Sequence, residues 1–166
     1  PDTEPTKTSK TDTKTPSEDD IQKAIEEDNT IFDLVETSEN LTNTLLIAVS
    51  NTESGTTTTL DVYDLSGQRE RSQYNLSSQL PKKDGTNDEY VEAAKNYILN
   101  GMMIASDMHS YLDKNKLDDL SDYKKRVEAQ QNYTLSVVSA RMVYLSDAGV
   151  PEDKINEILG TNSDTE

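Results

Sequence analysis

Residues 56–80 read TTTTLDVYDLSGQRERSQYNLSSQL, and the fold class turns on them. Four threonines followed by Leu60, Val62 and Tyr63 favour a strand on propensity. With TLLIAVSN at 44–51 before them and ESG at 53–55 between, they make a β-hairpin at about 44–64 and an α+β class. The preferred reading is a helix from about 57 to 79. Leu60, Tyr63, Asp64, Gly67, Arg71, Tyr74 and Ser78 then share one face, with Leu76 and Leu80 at its end. The face is weak, and Gly67 costs roughly 1 kcal/mol in a helix interior.

The flanks are clearer. Upstream, Ser17 is a good N-cap, and Glu18, Asp19 and Asp20 suit a first helical turn. Apolar residues then recur at gaps of three and four from Ile21 to Val49. The stripe thins at Asp28 and Asn29, which leaves room for a kink or break, and Gly55 suits a C-cap. Downstream, PKKDGTN at 81–87 is a loop. From Asn87 or Asp88 to about Lys114, one stripe holds Tyr90, Ala94, Tyr97, Gly101, Ile104, Met108 and Tyr111. Val91, Ile98, Ala105 and Leu112 run beside it at a spacing of seven, giving a face wide enough to line a bundle. The next helix, about Leu117 to Ala148, has a face from Leu120 and Tyr123 through Thr134, Val137, Val138 and Arg141 to Tyr144 and Leu145. A turn at Gly149 and a short helix opened by Pro151 follow. Short links between long amphipathic helices make antiparallel neighbours. The expectation is therefore an all-α, up-down-up-down four-helix bundle over residues 17–160 with a short C-terminal helix.

The 166 residues carry a formal net charge of −16, with no cysteine and a single histidine. Disulfides and thiolate chemistry are excluded, and no run of 18 apolar residues spans a membrane. Acidity gathers at the ends. Residues 21–50 carry six acids against one base, while residues 51–148 carry fifteen against eleven. No basic patch is available for nucleic acid or anionic lipid, so no nucleic-acid partner is expected.

Residues 1–20, PDTEPTKTSKTDTKTPSEDD, contain no Val, Ile, Leu, Met, Phe, Tyr or Trp. Residues 1–16 read as a disordered polar tether and 161–166 as a disordered tail. A polar spacer before an amphipathic bundle resembles the uncharacterised small helical surface lipoproteins of the Gram-positive or archaeal type, although the anchoring cysteine is not in this sequence. The resemblance implies an extracellular, cell-surface-anchored chain. It implies membrane contact only through a lipid anchor outside these residues, and an unknown protein or cell-envelope partner.

NYILNGMMIASDMHSYL at 96–112 holds three of the four methionines and the only histidine. A helical di-iron site needs Glu-x-x-His, but the residue three before His109 is Ser106. His109 lies about 100° round from Met108, so copper ligation is not expected either. His109 is assigned to the bundle edge, within reach of Asp113, and its truncation to Ala is expected to cost under about 0.5 kcal/mol. With no P-loop, dinucleotide or Gly-x-Ser-x-Gly pattern, no catalytic residue, metal or cofactor is expected. Arg141 is the odd residue, a charge on an inward face. It must pair, snorkel or meet a ligand. The first helix could supply an acidic partner. Tyr97, Tyr123 and Tyr144, with Tyr90, would be the companions of a ligand or partner contact. The functional expectation is a non-enzymatic extracytoplasmic binding or accessory module. The alternatives are a metal-binding helical bundle and an acidic inhibitor that mimics nucleic acid.

Overall fold

The computed structural model describes residues 14–160. The proposed tether and tail lie almost wholly outside the described residues. Within them, 14–16 have no regular structure. Five helices follow: α1 Glu18–Glu53, α2 Thr59–Ser78, α3 Asp88–Lys114, α4 Leu117–Asp147 and α5 Glu152–Leu159. No strand occurs among the described residues, so residues 44–64 are not a hairpin.

Helix α2 starts where it does because Thr58 and Asp61 form a capping box. The Thr58 hydroxyl accepts from the Asp61 amide, and the Asp61 carboxylate accepts from the Thr58 amide, each at 3.1 Å. Ser17 and Asp20 do the same for α1. Gly55, at φ 74°, turns the chain out of α1.

The long helices alternate in direction. Ser38 and Thr42 of α1 meet Gln73 of α2, and Thr44 meets Arg69. Along α3 and α4, Tyr90 stacks with Tyr144, Tyr97 meets Gln130, and Ser110 meets Asp119. In each pair one number rises as the other falls, so the neighbours run antiparallel. α3 is the central helix, with α2 and α4 packed along it; α2 and α4 do not approach each other. α1 lies over α2 and α3 and touches α4 only slightly, through residues near Asp28 and Arg141. The up-down-up-down order holds, but the seam between α1 and α4 closes near one end only.

The expected face of α3 is the observed one, with Tyr90, Val91, Ala94, Tyr97, Ile98, Ile104, Ala105 and Met108 all buried. The other helices differ. α1 is continuous through Asp28, and its buried positions are 24, 28, 31, 35, 38, 42 and 45, a regular alternation of gaps of four and three. The apparent gap in the stripe is a buried acid on the stripe. In α2 the inward face is Val62, Ser66, Gly67, Gln73 and Leu76, whereas Leu60 and Tyr74 are exposed. The α2 stripe expected from apolar residues is therefore misplaced, because the true one is partly polar. In α4, Thr134 and Val138 point outward.

The polar inward residues of α1 and α2 meet in one layer. Gln73, fully buried, donates to the Ser38 carbonyl and the Thr42 hydroxyl, each at 3.0 Å, and accepts from the Ser38 hydroxyl at 2.6 Å. Gly101 of α3 faces this layer. A Cβ there would lie 2.8 Å from Gln73 Nε2 and 2.9 Å from Thr42 Oγ1. Gly101→Ala is expected to lower stability in urea unfolding by about 1–3 kcal/mol, through overpacking that breaks these bonds.

Candidate functional site

Arg141 and Asp28 come from the fourth and first helices. The guanidinium donates from Nε to Asp28 Oδ1 at 2.7 Å and from Nη2 to Oδ2 at 2.8 Å. Asp28 is 0% exposed and Arg141 5%. Tyr90 of α3 donates its hydroxyl to Asp28 Oδ1 at 2.9 Å. The Phe32 ring covers the guanidinium, with Cζ 3.7 Å from the ring centroid. A neighbouring group extends the node. Tyr144, stacked on Tyr90, reaches Glu27 Oε1 at 3.3 Å, and the buried Asn87 donates to the same oxygen at 2.8 Å.

Asp28 and Arg141 neutralise each other. Both carboxylate oxygens of Asp28 accept from Arg141, in the bidentate geometry that makes guanidinium–carboxylate pairs strong and directional. Burial alone would lower the Arg141 pKa, but the hydrogen bonds and charge of Asp28 hold it above its ordinary value. Burial, then the Asp28 charge, pushes the Tyr90 phenol far up; burial, then Glu27, does the same to Tyr144. The Arg141 guanidinium and the Tyr90 and Tyr144 phenols thereby keep their protons around neutral pH. The node is a crossing point that holds α1, α3 and α4 in one register, and Arg141 is engaged by Asp28.

The structure does not gather the expected contact residues. Tyr144 stands beside Arg141 in the node. Tyr97 is buried beside Gln130, which donates to its hydroxyl at 3.2 Å. Tyr123 is 21 residues before Tyr144 on one helix, roughly 32 Å away along the axis. Asp28, Glu27 and Asn87 are the members that the expected set lacked. A signal for Asp28 existed: an acid at a stripe position of one helix and a base at a stripe position of another.

Tyr123 instead lines an open cleft of about 590 Å³ at the other end of the bundle. Val49, Val62, Met108, Leu112 and Leu120 make its walls apolar, and Thr59, Asn115 and Lys124 bring polar groups to it. That volume falls in the range of small-molecule sites.

His109 is half-buried, against α2 rather than paired with Asp113. Its ring stacks on Tyr63 at 4.2 Å between centroids, and its Nδ1 lies 3.0 Å from the Tyr63 carbonyl. A carbonyl only accepts, so the proton sits on Nδ1. Gly67 is small because the imidazole lies over it: a Cβ there would be 3.2 Å from His109 Cε1. Truncation of His109 is therefore not near-neutral. His109→Ala should cost about 1–2 kcal/mol in urea unfolding, from a lost stack and a lost hydrogen bond. Among the described residues, no three metal-capable side chains converge. The chain matches no family model, no curated protein and no solved structure.

Proposed function

We propose that the chain is a non-enzymatic binding or accessory module, carried outside the cytoplasmic membrane on its polar N-terminal segment. The observation that supports binding is the Tyr123 cleft. It combines apolar walls with a few polar groups, the usual make-up of a site that orients a ligand. Arg141 and His109, the two side chains best suited to chemistry, serve internal contacts instead. The support for an external tether is the composition of residues 1–20, which offers no large apolar side chain to a core.

Co-sedimentation with cell envelopes isolated from the native host tests the binding part. The chain is expected to pellet with them, and the exposed rim substitution Lys124→Glu is expected to weaken retention about tenfold. A chain that stays in the supernatant with every envelope fraction contradicts the reading. Protease treatment of intact native cells tests location. Release of the folded helical domain without lysis is expected, and full protection until lysis contradicts it.

A further inference from the structure

The outer face of α4 is unlike the rest of the surface. Of the eight large hydrophobic residues that are exposed among the described residues, Leu135, Val138, Met142 and Val143 fall within nine positions of one helix. Scattered exposed apolar residues need no explanation, whereas a contiguous group marks an interface. Across the 18 positions from Ala129 to Ser146 the only charged residue is Arg141, and it is buried on Asp28. Gln131, Ser139 and Ser146 complete this outward face without charge. The fold leaves the face uncovered, because α1 meets α4 only slightly and α2 does not reach it. A shallow groove runs along it, floored by the small residues Ala93, Ser136, Ser139 and Ala140 between α3 and α4, with Glu89 of α3 at its margin.

We propose that this face is a self-association surface, and that it takes the α4 of a second copy of the chain in antiparallel orientation. The charge pattern identifies the occupant. Each copy carries −16, so two copies repel wherever their acidic surfaces meet. This strip lets them touch without opposing like charges. A basic partner would find a single acid, Glu89 at the groove's margin, and nucleic acid or an anionic membrane would find no base. The strip is also self-complementary, as a two-fold interface requires. The midpoint of Leu135 and Met142 coincides with that of Gln131 and Ser146, between Val138 and Ser139. A two-fold axis there sets Leu135 level with Met142 of the second copy, and Val138 level with its Ser139. The small Ser139 at the centre lets the helices approach closely. The strip is roughly 24 Å long, which places the contact in the small, reversible class of interfaces, below about 1,200 Å².

Analytical ultracentrifugation of the full chain tests this, from about 10 µM to about 1 mM, at low and high sodium chloride. A monomer–dimer equilibrium is expected, tightened at least about threefold by salt, because salt screens the repulsion between the acidic copies. Val138→Asp sits beside the axis, which brings the two introduced carboxylates close together, and should weaken the dimer more than about tenfold. Leu60→Asp, also exposed but on α2, should leave it unchanged. Ser139→Cys gives an independent check, because the chain has no other cysteine. Under oxidising conditions it should form a disulfide-linked dimer much faster than Ser78→Cys on α2. A chain that stays monomeric at about 1 mM in high salt overturns the proposal. So does a dimer that Val138→Asp leaves intact, or one whose Ser139→Cys variant cross-links no faster than the α2 control. None of these outcomes depends on the Tyr123 cleft or on where the chain resides.

Discussion

Arg141→Met is expected to lower the unfolding free energy by about 3–5 kcal/mol, read from the urea midpoint at neutral pH. Methionine nearly matches the volume of the arginine stem and would still pack on Phe32, so little of the loss comes from a cavity. The loss comes from Asp28, which has no exposed surface. Without the guanidinium, its carboxylate keeps only the Tyr90 hydroxyl. A buried anion in that state must either remain uncompensated or take up a proton, and both options favour the unfolded chain. The size of this effect does not mean that the pair is a large net source of stability. Desolvating both groups offsets much of their attraction. What the pair contributes is registry, because one bidentate contact fixes the rotation of α4 about its axis relative to α1 at the point where the two helices meet.

Alkaline unfolding should be steep and should begin near pH 10. Tyr90 and Tyr144 are held well above the ordinary value of 10.0, first by burial and then by Asp28 and Glu27 respectively. In the unfolded chain these phenols ionise near the ordinary value. Above that pH the unfolded state releases protons that the folded state keeps, so stability falls as pH rises. Below pH 10 their contribution is fully present. Each such tyrosine removes about 1.4 kcal/mol per pH unit, so the pair removes about 2.7 kcal/mol per unit. Tyr97 and Tyr123, raised by burial, act in the same direction. An ultraviolet titration of tyrosinate run alongside circular dichroism checks this. The Tyr90 and Tyr144 phenols should ionise in the step that melts the helices. Ionisation of the Tyr90 and Tyr144 phenols with helicity retained would contradict the packing around Tyr90.

The parts of the fold legible in the sequence are those whose inward residues are apolar. The α3 stripe of Tyr90, Ala94, Tyr97, Ile104 and Met108 needs only a period of 3.6 to be seen. α1 and α2 are harder because they pack partly through polar layers. A search for hydrophobic residues reads Asp28 as a break and places α2 on Leu60 and Tyr74. Gln73 and Ser38 look like surface residues until each is shown to satisfy the other. The helix at 59–78 had a local sign in the Thr58–Asp61 box, which settles what the four threonines leave ambiguous. Gly67, a cost in any isolated helix, makes sense only once His109 is seen lying across it.

For the candidate site, the inward charge of Arg141 and an acidic partner in the first helix were both open to sequence reasoning. The identity of that partner was hidden by the same polar gap. The grouping of tyrosines around Arg141 holds for Tyr90 and Tyr144 and misses Tyr123 for a simple reason of length. On a helix rising about 1.5 Å per residue, Tyr123 and Tyr144 share a face but lie at opposite ends of the bundle.

Asp28 and Arg141 act as one structural unit, and a double-mutant cycle measures that directly. Asp28→Leu, Arg141→Met and the double variant would be unfolded in urea at neutral pH. Each single change should cost about 3–5 kcal/mol, and the double variant should lose about 2–3 kcal/mol less than the sum of the two. Single losses that add to within about 0.5 kcal/mol would mean the two groups do not act through each other, and the node would not be what holds α1 to α4.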